Sequence, residues 1–257
     1  MRIAIMQPYF MPYLGYFQAI AAVDKYILYD NLAYIVNGWV NKNRIRQRNN
    51  PPSWLIVPIK QKSSYTLIAD TQIDNSKPWK KKMLTSIRLA YAKAEYLNEI
   101  MPLMEEILAD EYETISELNC QSIIKICKFL DLKTEVVADR NPYLEIEQGL
   151  KLVENGDYSA FPYMNQTHPI KKVARVIAIC QYEGAHHFVN AIGGMELYSK
   201  EEFAQYGVKL NFIQMHDIRY SQKCSDGSFE PYLSIIDVLM HNGKEKTKEL
   251  LNQYTLV

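Results

Sequence analysis

The feature that most constrains the fold lies in the first 31 residues. "RIAIMQ" is a short apolar run closed by Gln-Pro, the signal of a buried strand. "YLGYFQAIAAVD" then carries apolar residues at helical spacing, and "KYILYDN" is a second strand stopped by Asp-Asn. Strand, loop, helix and strand in this order make a βαβ unit, whose two strands run parallel through a right-handed crossover. A chain that opens in this way is expected to build an α/β sheet and to bind ligands at the carboxyl edge of its strands.

The rest of the chain is consistent with that beginning. "GWVNKNRIR" and "WLIVPIK" are strand-like on either side of a turn at "NNPPS", and "TLIADTQID" is a further strand candidate. Three helical segments follow, around 77–94, 95–110 and 113–131, with apolar residues every three or four positions. "TEVVAD", "HHFVN" and "VKLNFIQM" read as strands. "PIKKVARVIAICQYEGA" reads as a helix ended by Gly184, and "SIIDVLMHNG" as a helix with a Ser start and an Asn-Gly stop. With no repeat, low-complexity stretch or long Gly/Ser linker, residues 1–257 are read as a single α/β domain. Its expected core is a Rossmann-like parallel sheet, interrupted by a mainly helical insertion at about 77–131.

Charge and cysteine usage narrow the function classes. Acidic and basic residues balance at 29 each, so nothing global points to nucleic acid or an anionic membrane as the main partner. No stretch approaches the roughly 20 apolar residues of a membrane span. The amino terminus does not resemble a signal peptide, and a soluble, cytoplasmic protein is expected. Cys120, Cys127, Cys180 and Cys224 form no CxxC pair, and Cys120 and Cys127, seven apart in an apolar helical pattern, read as buried free thiols. Adjacent His186 and His187 would point to opposite faces of a strand, and His168 and His216 stand apart. No metal site and no cofactor is expected. There is no GxSxG and no P-loop. The 19 tyrosines suit polar ligands such as sugars and nucleotides, and they also suit core edges.

The loop after the first strand, "QPYFMPYLGY", sits where a βαβ unit places its ligand. Pro8 and Pro12 stiffen it, and Gly15 lets a ligand or another backbone come close. Gln7, Tyr9, Tyr13 and Tyr16 are candidate binding residues. Tyr13 and Tyr16, three apart, would share one helix face, or pack the helix onto the sheet. Asp30 ends the second strand at the same edge, where it would meet a sugar hydroxyl or simply start a turn. "NKNRIR" offers Asn41 and Asn43 on one strand face and Arg44 on the other, either as an anion- and hydroxyl-binding group or as a solvated hairpin. Lys60 is a further anion ligand candidate. Asn190, Gly193 and Gly194 follow a strand and would cradle phosphate or form a plain turn, with Tyr198 beside them. Asp237 and His241 are four apart on a helix, the spacing of a base and its orienting partner; the same residues fit a helix start and stop.

Two resemblances follow from these segments. The opening layout resembles the HxGH nucleotidyltransferase superfamily, with "YLGY" in place of the signature and Tyr13 and Tyr16 at its two histidine positions. A neutral phenol cannot take the place of a cationic imidazole against phosphate, so this resemblance supports topology more than activity. The set "IAIMQPYFMPYLGYF", "VDKYILYDN", "GWVNKNRI" and "YLSIIDVLMHNG" resembles the WbqC-like family over most of the chain. That resemblance implies a bacterial protein connected with surface polysaccharides such as O-antigen. The expectation is a small-molecule transferase, with acyl- or aminoacyl-transfer on a nucleotide- or sugar-linked substrate as the reaction. The alternative is a non-catalytic ligand-binding or scaffold protein on a nucleotidyltransferase-like frame.

Overall fold

The computed structural model describes residues 1–47, 50–157, 159–161, 171–222 and 227–257. Cys224 and His168 lie outside the described residues. The opening unit forms as β1 (Arg2–Met6), α1 (Leu14–Ala21) and β2 (Lys25–Leu28). β1 and β2 are parallel, with Ile3 opposite Lys25 and Met6 opposite Leu28. An antiparallel hairpin follows, β3 (Lys42–Gln47) and β4 (Asn50–Ile56), separate from the main sheet. The helical segments are α2 (Trp79–Ala90), α3 (Leu97–Ala109) and α4 (Ile115–Phe129). The chain then re-enters the sheet at β5 (Glu135–Val137), beside β2.

The return path runs through α5 (Leu144–Glu154) and α6 (Lys171–Tyr182) to β6 (His187–Ala191), which pairs with the other edge of β1. α7 (Lys200–Ala204) and β7 (Lys209–Met215) extend that side, α8 (Ile235–Leu250) packs behind it, and β8 (Tyr254–Leu256) closes it antiparallel to β7. The strand order is therefore β5-β2-β1-β6-β7-β8, a mostly parallel six-stranded sheet of Rossmann-like α/β type. The order reverses between β2 and β6 on either side of β1. In open α/β sheets that switch point leaves a crevice at the carboxyl ends of the strands.

Side chains alternate across the sheet, so each strand feeds two cores. On one face Ala4, Tyr26 and Leu28 pack with α1, α2, α3, α4 and α8. On the other, Ile3, Ile27 and Tyr29 pack with α5, α6 and α7. Cys120, Cys127 and Cys180 are buried free thiols in these cores, and burial pushes each up to about 12.

Three differences from the sequence reading have physical causes. "TLIADTQID" is not a strand: Ile68–Asp70 makes a 3₁₀ turn, and its flanks form only isolated bridges, Ala33 to Leu67 and Ile59 to Ile73. The Asn-Gly at the end of "SIIDVLMHNG" does stop the first helix of α8, and what the sequence reading lacks is the second helix that starts directly after it. Gly243 adopts φ +63 and helix resumes to Leu250. A side chain there would meet the Tyr96 ring at 2.5 Å, so glycine is required twice over. Finally, α5, α7 and β8 are elements that the sequence reading did not assign. α5 runs unbroken through Gly149, where a Cβ would collide with Ala160 and Phe161; α7 has five residues, and β8 has three aligned by β7.

Candidate functional site

Beyond Met6 the chain from Gln7 to Tyr13 crosses the carboxyl edge of the sheet. Its carbonyls are claimed by four separate elements. Tyr16 Oη of α1 donates to the Gln7 carbonyl at 2.9 Å, and Asn119 Nδ2 of α4 to the Pro8 carbonyl at 2.9 Å. Asn43 Nδ2 of β3 donates to the Phe10 and Met11 carbonyls at 3.1 and 2.7 Å. Ser234 Oγ, at the start of α8, donates to the Met11 carbonyl at 2.8 Å, and the Ile235 N–H to that of Pro12 at 2.8 Å. Met11 has φ +41, a conformation that costs a methionine energy. Such strain persists only where the surroundings over-determine it, as these bonds do.

Two cavities flank this rigid loop. The first, about 370 Å³, is largely aromatic, lined by Tyr9, Pro12, Tyr13, Trp39 and Tyr232 together with Asn43 and Arg44. The Tyr13 and Tyr232 rings meet edge to face at 6.0 Å. Tyr232 is itself held at φ +56. The second cavity, about 420 Å³, lies at the switch point between β1 and β6. Gln7, Asn190, Gly193 and Gly194 line it from the strand ends, and Lys172 and Arg175 line it from α6. Tyr9 Oη donates to Gln7 Oε1 at 3.0 Å, so the two cavities share a wall.

Electrostatics keep the phenols neutral. Burial pushes the Tyr9 and Tyr13 hydroxyls up, and the neighbouring phenols, Tyr13 for the first and Tyr232 for the second, add to it. They can therefore donate and accept but not carry charge. In the switch-point cavity burial alone would lower Arg175. Its paired bonds to Glu147, 2.6 and 3.0 Å, outweigh this and hold it above its ordinary value. Tyr29 donates to the same carboxylate. Arg44 sits at the rim of the aromatic cavity, 3.2 Å from Glu230 and with its guanidinium 5.9 Å from the centre of the Trp39 ring.

The structure thus brings Tyr9, Tyr13, Asn43 and Arg44 into the aromatic cavity, and Gln7, Asn190, Gly193, Gly194 and Tyr198 into the switch-point cavity across the shared wall. Several candidates have other duties. Tyr16 is buried beside Tyr26 with its hydroxyl bound to the Gln7 carbonyl, so it supports the loop and does not share a cavity with Tyr13. Gly15 makes room for Tyr13, not for a ligand: a Cβ there would lie 2.5 Å from the Tyr13 ring. Gly194 likewise makes room for the Asn190 amide. Asn41 holds the hairpin, accepting from Tyr34 Oη and donating to the Val57 carbonyl, both at 2.8 Å. Asp30 lies under α4, accepting from Ser116 Oγ at 2.5 Å, and lines neither cavity. Lys60 is exposed, bonded to Gln72 Oε1 at 3.0 Å, and also lines neither.

Asp237 and His241 stand apart from the crevice. Asp237 is fully buried and its two oxygens accept from Tyr91 Oη (2.8 Å), Tyr220 Oη (2.7 Å) and Gln222 Nε2 (2.9 Å). His241 Nε2 is 3.9 Å away, beyond hydrogen-bond range, and lines a different cavity of about 110 Å³ beside α2. A base and orienting pair needs a direct bond, which the 3.9 Å separation does not give, and His241 opens on a cavity other than the two beside the opening loop. Among the described residues, no group of three or more His, Cys, Asp or Glu could hold a metal ion.

The sequence reading passed over Trp39, Tyr232, Lys172 and Arg175. Arg175 had a signal, a cation inside the apolar stripe of "VARVIAIC". Trp39 follows Asn37-Gly38, a turn that presents it at the surface, where it is half-exposed. Tyr232 had none, because its place depends on the approach of α8 to the opening loop.

Fold and site together define a Rossmann-like α/β protein whose strand-edge crevice is walled by aromatic, amide and basic side chains. The chain belongs to the WbqC-like protein family, which matches residues 7–249. It is 27% identical over 247 residues to an uncharacterized protein of Mycobacterium tuberculosis, with 95% of each chain covered. No solved structure gives a significant match.

Proposed function

We propose that the protein is a small-molecule transferase that acylates or aminoacylates a nucleotide- or sugar-linked substrate, in the making of bacterial surface polysaccharide. The observation that carries this reading is the shared wall at Gln7 and Tyr9, which joins a basic cavity to an aromatic one at the switch-point edge. Lys172 and Arg175 suit phosphate oxygens, with the open backbone at Gly193 beside them. Neutral phenols and Trp39 suit the apolar faces and hydroxyls of a sugar. An acyl group passing from a thioester to a sugar amine needs the two reactants held side by side more than it needs a charged catalyst. The rigid loop supplies that positioning.

A second reading, a ligand-binding protein without turnover, is favoured by one observation. Tyrosines occupy both positions of the HxGH-like corner, and the Tyr16 hydroxyl is committed to a main-chain carbonyl. One experiment separates the two. The protein is incubated with a uridine-diphosphate-linked amino sugar and an acyl thioester, and products are read by mass spectrometry. Transfer predicts the nucleotide-linked amide and an equal amount of free thiol. Saturable binding of the sugar nucleotide with no amide across a panel of donors would leave the binding reading in its place.

A further inference from the structure

Between Leu32 and Ala69 the chain carries six basic residues, Lys42, Arg44, Arg46, Arg48, Lys60 and Lys62, and no acidic one. The whole chain is electrically balanced, so this segment is a local excess. The same segment exposes Ile35, Val36, Trp39, Trp54, Ile56 and Leu67, each 36–48% accessible. Cross-strand register pairs Lys42 with Ile56 and Arg44 with Trp54 on the β3–β4 hairpin. Lys42 Nζ lies 4.8 Å from the centre of the Trp54 ring, and the Trp39 and Trp54 rings are 5.6 Å apart. The loop before β3 is fastened alongside: Asn41 O accepts from the Val57 N–H, and Ala33 bridges Leu67.

We propose that this face docks on an anionic lipid bilayer, with the mouth of the aromatic cavity turned toward the headgroups. Basic residues interleaved with tryptophan suit the membrane interface, where indole rings sit at headgroup level and lysines meet anionic lipid. Aromatic and basic residues alone would also suit RNA or an acidic saccharide. The exposed aliphatic side chains decide against these two, because Ile35, Val36, Ile56 and Leu67 have no ring to stack on a base or sugar and gain by leaving water for hydrocarbon. A second copy of the chain is a poor occupant, since it would bring the same positive excess against itself. Attachment would be peripheral: no described helix is long and apolar enough to cross a membrane. Trp39 and Arg44 belong both to this face and to the cavity wall, so a lipid-linked substrate could reach the crevice without leaving the bilayer surface.

The test is flotation with phosphatidylglycerol-containing vesicles against pure phosphatidylcholine vesicles, followed also by tryptophan emission. Two of the three tryptophans, Trp39 and Trp54, are on the face, and Trp79 is buried. The proposal expects binding to the anionic vesicles, a blue shift, and weakening as salt rises. The double variant Trp54→Ser, Ile56→Ser should lower the partition coefficient roughly tenfold with an unchanged melting temperature, since both side chains are half-exposed. Lys60→Glu with Lys62→Glu should weaken binding at low salt only. Absence of binding to the anionic vesicles overturns the proposal, as does binding that neither double variant alters. Tighter binding to a short RNA without an emission shift, or a dimer dispersed by the apolar variant, would assign the face elsewhere and overturn it too. Vesicle binding is read without any substrate, so its outcome is independent of the transfer assay.

Discussion

Tyr13 and Tyr16 lie in the same five-residue stretch, "PYLGY", yet their side chains have different surroundings. The Tyr16 hydroxyl is bound to the Gln7 carbonyl, whereas the Tyr13 side chain lines the aromatic cavity. Removing each hydroxyl should separate stability from binding. Tyr16→Phe leaves a buried carbonyl without its donor and should cost about 1–3 kcal/mol in denaturant unfolding. Tyr13→Phe should leave stability nearly unchanged and weaken ligand affinity by about 0.5–1.5 kcal/mol in a titration. Equal behaviour of the two variants would contradict the assignment. Asp30 offers a pH test of a different kind. Burial raises its carboxyl above the ordinary 3.8, against the opposing bond from Ser116. A raised folded value means that the group supports the fold when protonated, and that this support is lost as pH rises through the folded value. Asp30→Asn, which can still accept from Ser116, should therefore melt higher than wild type near neutral pH. The difference should vanish below the unfolded value of about 3.8. A difference that grows toward acid would reverse the sign and the explanation.

At the scale of elements, α8 holds two parts of the molecule in place. Its first residues fasten the opening loop through Ser234 and Ile235. One turn on, Asp237 gathers Tyr91 from the end of α2 with Tyr220 and Gln222 from the segment after β7. Gln222 also brackets the Glu230 main chain, and Glu230 meets Arg44 at the crevice. Asp237→Asn replaces an acceptor by an amide that faces three donors, and should cost about 2–3 kcal/mol in urea unfolding. Crevice binding by the folded variant should be intact. Lost turnover at unchanged stability would instead return Asp237 to a catalytic role. These elements show what a sequence exposes. β1, α1 and β2 were legible because apolar residues alternate or recur at fixed spacing, and α2, α3 and α4 because each carries an amphipathic stripe. α5 has an amphipathic stripe of its own, with Ile146 and Leu150 buried, that the sequence reading passed over, and β8 was hidden by its length. The site was half legible. Gln7, Tyr9 and Tyr13 follow from the place of a βαβ loop. The bonds from Asn43 to Phe10 and Met11 join residues more than 30 apart, and no local pattern announces them.

For the whole molecule, the central claim is that a strained loop, fixed by α1, α4, β3 and α8, presents one crevice for an anionic sugar-linked ligand at the switch point of a mostly parallel sheet. The hairpin supplies Arg44 from one side and α6 supplies Arg175 from the other, so the crevice exists only when the sheet and both flanking units are assembled. Arg44 is the most informative probe. Its ion pair with Glu230 is partly exposed and contributes little to stability, so its loss should leave the fold intact. Its planar fork reads phosphate or carboxylate in a way that lysine does not. The direct measurement is calorimetric titration of a uridine-diphosphate-linked amino sugar into wild type, Arg44→Ala, Arg44→Lys and Lys60→Ala. The account predicts saturable binding to wild type and to Lys60→Ala, and binding weakened about tenfold or more in both Arg44 variants, as expected for a lost charge-assisted bond. Wild type that fails to bind, or Arg44→Ala that binds as tightly as wild type, would contradict it.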